Sequence, residues 1–289
     1  MKISVVIPAY NDSRKLERLL VSLKKQTFKD FEIIVVDDAS ADNTYDVAKK
    51  YANKVIRNNR NQGPAITRNI GIKNSDSSII AFTDSDCEAS LNWLENILNH
   101  FSDKKISALM GRIFVPKSTF LGDAISALGF PAGGHIGFEK IWHVTKDGFT
   151  DHLSSCNMAL RKELFKKNGL FDEKFTFPGA EDTEFSHRLA KNGIKIKYCP
   201  SAVIMHEPRA ELSSFVKWQV TRGRSNYQFK KKIGRVDGFI KLRIWSSKNI
   251  IKAYIFDMKI ILILPLLLLS FILQQYGYML ESIKDKNLY

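Results

Sequence analysis

Two carboxylates one residue apart, Asp84 and Asp86, end an apolar run at residues 78–83 that reads as a buried strand. Charge placed there suits a ligand. At the carboxyl edge of a parallel sheet such carboxylates hold a hard divalent cation, which keeps several waters and takes phosphate oxygens from a substrate. The triplet Asp84-Ser85-Asp86 serves equally as a turn, with Asp86 starting a helix over 91–98, so on its own it leaves both readings open.

The elements upstream decide between them. Residues 2–8 read as a short apolar strand closed by Pro8, and residues 31–37 as a second one closed by Asp37 and Asp38. Between them Leu16, Leu19, Leu20 and Leu23 recur at helical spacing, giving a strand, helix, strand unit. A helix over 42–51, a short strand at Val55 and Ile56, and a helix over 65–73 continue the alternation up to the strand at 78. This predicts an α/β fold, a mostly parallel sheet flanked by helices on both faces, with ligands at the carboxyl ends of its strands. Tyr10, Asp38 and the triplet all fall at such ends.

The first strand-to-helix turn, PAYND at 8–12, carries no Gly-x-Gly-x-x-Gly, and no Gly-x-x-x-x-Gly-Lys-Ser/Thr occurs in the chain. Dinucleotide and P-loop phosphate cradles are therefore excluded. Phosphate has to be neutralised another way. A metal on Asp86 and a cation such as Arg68 can do so, while Tyr10 offers a face to a base and Asp38 an acceptor to a base N–H.

Five segments in order, SVVIPAYN (4–11), QTF (26–28), VVDDAS (35–40), NQGPAITRNIG (61–71) and FTDSD (82–86), resemble the successive signatures of family-2 glycosyltransferases, and the likeness covers about residues 1–225. The resemblance implies an A-type glycosyltransferase fold with a Rossmann-like nucleotide-binding half, inverting chemistry, a nucleotide-sugar donor and a divalent metal, Mn²⁺ or Mg²⁺. Carried over residue by residue, it implies that Pro8 and Tyr10 border the base, Asp38 reads its N–H, and Arg68 approaches the nucleotide or its phosphates. It places Asp84 against the ribose or donor sugar, Ser85 in the same nucleotide-sugar site, and the metal on Asp86. Ordinary roles exist for each: Pro8 and Asp38 can end strands, and Arg68 can be a solvated helix residue.

In the second half, a strand at 154–160, a helix over 162–167 and a turn at 169–173 precede GAED (179–182), which opens a helix over 183–192 closed by Gly193. Glu181 and Asp182 would complement the dipole of that helix. By resemblance they are the family's Glu-Asp motif, which makes Asp182 the general base that takes the acceptor hydroxyl proton as the oxygen attacks the anomeric carbon. Of six histidines, His206 stands out after a strand at 202–205. In the family a histidine here completes the metal site, and imidazole suits Mn more than Mg. The segment WQVTRGR (218–224) resembles the Gln-x-x-Arg-Trp element of processive members, which implies contacts of Gln219 and Arg222, with Glu181, to acceptor or diphosphate. Gly223 stands in place of the Trp, which weighs against a processive polymerase unless Trp218 supplies the stacking platform; a basic amphipathic helix explains the same residues. Residues 115–150 lack regular periodicity and, rich in Gly and aromatics, read as an acceptor-binding or lid loop, or as an apolar flap packed under the sheet edge or docked on a membrane.

Composition bounds the rest. A chain of 289 residues, 44% apolar, can bury one large core, and no repeat or disordered linker is visible. Cys87, Cys156 and Cys199 form no CxxC pair, which fits a reducing compartment, and the chain begins with a strand rather than a secretory signal. Of the formal charge of +14, most lies between Lys217 and Lys259, where twelve basic residues face two acidic ones. Nucleic acid is set aside because no recognised binding motif accompanies the charge. Anionic membrane lipid fits better, since the stretch leads into the apolar residues 260–273, shorter than the roughly 20 a span needs unless the run continues to Leu280. No amphipathic stripe is apparent in it. The expected layout is a catalytic domain at 1–225 (donor half 1–112, acceptor half 113–225), a basic juxtamembrane segment at 226–259, and a membrane-associated segment at 260–280, as a single span or re-entrant hairpin. Basic residues ahead of it would keep the catalytic domain cytoplasmic, with a lipid-linked or membrane-proximal glycan as acceptor. The competing classes are a non-catalytic nucleotide-sugar-binding scaffold and a sugar-1-phosphate nucleotidylyltransferase, whose Gly-rich, Arg-bearing loop after the first strand is missing here.

Overall fold

Strand and helix alternate from the first described residue. In the computed structural model, which describes residues 3–234 and 239–286, Lys2 of the expected first strand and Arg235 and Asp237 of the basic segment lie outside the described residues. Strands β1 (Ile3–Ala9), β2 (Phe31–Asp37), β3 (Lys54–Arg57) and β4 (Ile79–Phe82) are joined by α1 (Ser13–Lys24), α2 (Thr44–Tyr51) and α3 (Pro64–Lys73). All four strands pair parallel, in the order β3-β2-β1-β4. Their apolar runs show no alternation because helices cover both faces: Val5, Val6, Ile34 and Val35 are fully buried. On α1 the leucine stripe Leu16, Leu19, Leu20 and Leu23 is buried in the same way. Pro8 lies beyond Val6, the last residue of β1 that pairs with β4, so its missing N–H leaves no gap in that ladder.

Beyond β4 the sheet becomes mixed. Strands β5 (Cys87–Ala89), β6 (Ala108–Phe114), β7 (Phe149–Thr150), β8 (Met158–Arg161) and β9 (Ile196–His206) continue it in the order β4-β8-β6-β9-β5, with β7 also on β9. Only β6 and β9 pair parallel there; β8 is antiparallel to β4 and β6, and β5 and β7 are antiparallel to β9. The two expected halves thus share one continuous sheet. Helix α4 (Trp93–Phe101) covers β9, burying Trp93, Leu94, Ile97 and Phe101.

Three local expectations change. The strand expected at 154–160 starts only at Met158, because residues 154–157 close a turn in which Asn157 N donates to Ser154 O at 3.0 Å. Residues 115–150 carry short elements, α5 (Phe120–Ala127), α6 (Phe138–Ile141) and β7, joined by turns at 128–137 and 142–148. Their apolar residues Ala124, Ile125, Leu128 and Ile141 build a second core with the C-terminal helices, so that part of the segment packs as a flap, on those helices rather than under the sheet edge. The boundary expected at 225/226 falls inside a continuous helix.

After α7 (Glu163–Asn168) and α8 (Glu181–Lys191) come three long helices, α9 (Leu212–Ile233), α10 (Phe239–Tyr254) and α11 (Ile260–Lys286). The last is long and apolar enough to cross a membrane, and it extends past residue 280. Helices α9 and α11 lie backbone to backbone at two glycines. A Cβ on Gly223 would sit 2.1 Å from the Gln274 carbonyl oxygen, and one on Gly277 would sit 2.0 Å from that of Val220. This explains the departure from the Gln-x-x-Arg-Trp pattern, because α11 fills the space a Trp at 223 would need.

Candidate active site

The donor side is built from strand ends. After β1, Tyr10 is half exposed and Asn11 adopts φ 51°, with its side chain accepting from Ala41 N at 2.7 Å. After β4, Ser85 Oγ donates to Asp12 Oδ2 at 2.7 Å, tying the first loop to the triplet. Burial raises the Asp12 carboxyl above its ordinary range; the Ser85 bond and Lys15 oppose the rise and the Asp86 charge adds to it. Asp12 belongs to the site although sequence reasoning did not select it. Its signal was its place in the same strand-end turn as Tyr10.

Asp38 has a different task from the one expected. It is buried, and its oxygens accept from Asn58 Nδ2 at 2.7 Å, from Gln62 N at 2.9 Å and from Gly63 N at 2.8 Å. These bonds use most of a carboxylate's lone pairs, so Asp38 organises the 58–63 loop that launches α3. Gly63 at φ 88° then starts that helix with Pro64 in its first turn. Pro8 flanks the same loops without a polar role.

Strand pairing brings the metal candidates together. In the antiparallel β5–β9 ladder Cys87 lies opposite His206, so Asp86 and His206 face one another with Nε2 3.4 Å from Oδ1. His206 Nδ1 lies 2.9 Å from the Glu207 carbonyl oxygen, which can only accept, so Nδ1 carries the proton. Nε2 is thus the ring nitrogen turned toward the Asp86 carboxylate, and a carbonyl anchoring the far nitrogen is the usual outer support of a metal-binding histidine. Asp86, Cys87 and His206 form the one such group among the described residues, with donor atoms within 4.8 Å of one another. Burial holds the Cys87 thiol well above its usual pKa, which leaves oxygen and nitrogen as the donor pair.

The base side is joined to the donor side by one arginine. Arg68, buried on α3, donates to Asp84 Oδ1 and to Glu181 Oε1, each at 2.7 Å. Burial alone would lower its pKa, but Asp84 and Glu181 more than offset this and raise it. Glu181 is buried and also accepts from Gly179 N at 2.8 Å and Ala180 N at 3.1 Å. Burial, then the Asp182 charge, raise its carboxyl pKa against the pull of Arg68. Glu181 is therefore a positioning residue, not an acceptor contact. Asp182, at the N-terminus of α8, is held at both oxygens, from Thr183 N at 2.7 Å and Ser155 N at 3.1 Å.

Arg222, which interacts electrostatically with Asp182, belongs to a cationic and aromatic wall. Phe130 and Trp218 meet edge to face with centroids 5.0 Å apart. Arg222 stacks over both, at 4.4 and 5.3 Å, and Arg209 over Trp218 at 4.9 Å. Burial, then the neighbouring Arg243, push the Arg222 pKa down to about 10, and its Nε has no hydrogen-bond partner. Trp218 thus forms an aromatic pair with Phe130, which belongs to the Gly- and aromatic-rich segment 115–150, under Arg222. Gln219 is drawn away from the site: it is fully buried and accepts from Gln274 Nε2 of α11 at 2.7 Å. His152 stacks on Trp142 at 3.4 Å and interacts electrostatically with Asp182, and burial lowers its pKa to about 4. A cavity of about 550 Å³ lined by Arg112, Asp123, His135 and Tyr254 shares no residue with this site.

The helix-flanked sheet gathers acidic strand ends, a histidine opposite one of them and an aspartate on a helix N-terminus on one side of an α/β fold. The chain belongs to glycosyl transferase family 2, whose profile matches residues 4–169; that of the N-terminal domain of galactosyltransferase matches residues 141–209. It is 24% identical to the glycosyltransferase AglE of Haloferax volcanii over 78% of this chain and 73% of that protein. It is 29% identical to the O-antigen chain rhamnosyltransferase RfbN of Salmonella typhimurium over 74% and 70%. The pre-mycofactocin glycosyltransferase of Mycobacterium tuberculosis is 27% identical over 74% of this chain, which spans only 44% of that relative's length. In fold, the chain resembles the mannosyltransferase PcManGT of Pyrobaculum calidifontis in complex with GDP-Man and Mn²⁺, with a TM-score of 0.60, 18% identity, and 99% and 80% of the two chains covered.

Proposed function

We propose that the protein is an inverting glycosyltransferase that moves a sugar from a nucleoside-diphosphate sugar, by preference a UDP-sugar, to a hydroxyl of a lipid-linked or cell-surface glycan. The observation that carries this reading is the Asp84–Arg68–Glu181 bridge, which couples the donor triplet to the residue beside Asp182. It sets a fixed separation between where the donor sugar would sit and where a proton would be removed.

Asp182 takes the proton of the acceptor hydroxyl as that oxygen bonds to the anomeric carbon, and the bond from that carbon to the diphosphate oxygen breaks with its electrons leaving on the nucleoside diphosphate. Its two backbone N–H bonds, from Ser155 and Thr183, aim the carboxylate. Tyr10 stacks on the base, and Asp84 and Ser85 line the donor sugar. Asp86 and His206 would hold a divalent ion, Mn²⁺ or Mg²⁺, which when bound supplies charge compensation to the departing diphosphate. Arg222 and Arg209 offer the acceptor or the diphosphate an anion site walled by Phe130 and Trp218. The basic excess ahead of α11 supports a cytoplasmic catalytic domain on an anionic membrane.

Calorimetric titration with UDP and then GDP, in Mn²⁺, in Mg²⁺ and in EDTA, tests the donor site. Metal-dependent binding that Asp86→Ala abolishes, together with loss of transfer but not of binding in Asp182→Asn, is expected. Well-folded protein that binds neither nucleotide, or an Asp182→Asn variant with full transfer activity, would overturn the reading.

A further inference from the structure

Helix α11 is patterned inside out. Along the face turned to the protein run Ile263, Leu266, Ser270, Gln274, Gly277 and Glu281, polar or small over the C-terminal half of the helix. Gln274 bonds Gln219, Glu281 pairs with Arg224 at 2.8 Å, and Asp285 pairs with Lys231 at 2.7 Å and accepts from Tyr227 at 2.8 Å. The outward face is mostly apolar: Ile261, Leu264, Leu268, Phe271, Met279 and Ile283 are each between 48 and 63% exposed, with exposed Gln275 between Phe271 and Met279. They form one stripe about 33 Å long. It starts at the α10–α11 turn, where Ile255 and Met258 flank Phe256, whose side chain is wholly exposed. A helix that meets water puts its polar residues outside. This one does the reverse.

We infer that α11 and the turn before it form an in-plane membrane-docking face, in which the outward stripe sinks into the headgroup and acyl boundary of an anionic bilayer while the inward face stays on the catalytic domain. This deepens the membrane association proposed above and rests on it. Charge complementarity selects the partner, because Lys241, Lys248 and Lys252 are exposed on α10 just ahead of the turn. A transmembrane course is incompatible with the packing. The N-terminal half of α11 is seated on α5 and on Phe215 and Ile250, and its C-terminal half on α9, a helix that carries Lys217, Arg222, Arg224 and Lys230. To span, α11 would have to abandon both or draw those charges into hydrocarbon.

Flotation of the full-length protein with phosphatidylcholine vesicles, with and without 30% phosphatidylglycerol, tests the docking, and Leu268→Glu/Phe271→Glu perturbs it. Binding to the anionic vesicles with at least a tenfold loss in the double variant is expected, while UDP titration of that variant stays unchanged and certifies its fold. No wild-type flotation would overturn membrane association altogether. A wild-type dimer that the variant converts to monomer, without vesicle binding, would assign the stripe to a second copy instead. Orientation is read by an impermeant maleimide on Lys252→Cys and Lys284→Cys, since Cys87, Cys156 and Cys199 are buried. Labelling of both positions from the cytoplasmic face supports the in-plane course, and labelling from opposite faces overturns it while leaving membrane association intact.

Discussion

Replacing Arg68 by Met tests the bridge that joins the two halves of the site. The side chain of Glu181 is 1% exposed, and Arg68 is its ion-pair partner. Removing one partner of a buried pair typically costs about 3–5 kcal/mol, because the other charge stays behind uncompensated. Glu181 keeps the N–H groups of Gly179 and Ala180, so the lower end, about 3 kcal/mol, is expected. Against a total stability of about 5–15 kcal/mol the variant still folds. With a urea slope of about 3 kcal/mol per molar, its midpoint should fall by about 1 M. Adding Glu181→Gln should restore at least about 1.5 kcal/mol, since the stranded charge is gone. The pH dependence has a definite sign. A carboxyl raised in the folded state supports the fold fully below its unfolded pKa and withdraws that contribution as pH rises through the folded value. Burial and Asp182 raise Glu181 already, and losing Arg68 raises it further. The penalty of Arg68→Met should therefore shrink as pH is lowered from about 7 to about 5. Single effects that add within about 0.5 kcal/mol in the double variant, or a penalty independent of pH, would refute the argument.

Arg222→Met should leave urea stability unchanged or higher, because it removes a buried cation with an unpartnered Nε, yet lower kcat/KM by about 100-fold; equal loss of stability and activity would make Arg222 structural. His152 is buried with its pKa lowered to about 4, so its stabilising contribution is present above about 6.5 and is lost as pH falls through about 4, a difference of about 3 kcal/mol. Stability curves of wild type and His152→Phe should converge by that amount on acidification, and parallel curves would exclude it. Gly223→Ala puts a methyl 2.1 Å from the Gln274 carbonyl, so a thermal shift of several degrees downward is expected in calorimetry, with an unchanged Tm counting against the close helix contact.

The donor half was legible from sequence because buried parallel strands announce themselves as apolar runs and their ends as charge. Asp84, Asp86 and the helix carrying Arg68 stand where those patterns placed them. What escaped were relations rather than elements. Strand β5 is three residues long, too short to show a period, yet its pairing with β9 is what sets Asp86 against His206. Asp38 reads from sequence as an open acceptor, and only the folded 58–63 loop shows that backbone N–H groups take its oxygens. Gln219 and Arg222 lie three residues apart on α9, and no linear pattern tells that one turns to α11 and the other to Asp182. Phe130 joins Trp218 from nearly ninety residues away, through a segment whose short helices α5 and α6 are masked by glycines.

Helix α11 shows why periodicity itself can be silent. A search for an amphipathic stripe assumes that water lies outside and apolar atoms inside. In residues 260–273 apolar side chains face both ways, and from Gln274 onward Gln274, Glu281 and Asp285 turn toward α9 while Gln275, Lys284 and Lys286 are exposed. The two halves cancel as a stripe, and the helix reads as apolar all round. Once the polar residues are paired with α9 and the apolar ones left outside, the same residues describe a helix with a mostly apolar outward face and a seat on a charged protein helix. Turning Gln274 to Leu should therefore weaken the seat on α9, although it makes α11 more apolar, because it strands Gln219 at the buried end of a lost hydrogen bond. A lower urea midpoint in Gln274→Leu, relieved by the further change Gln219→Leu, would be the mark of a helix held by its polar side; a gain in stability from the single change would place that side in the wrong environment.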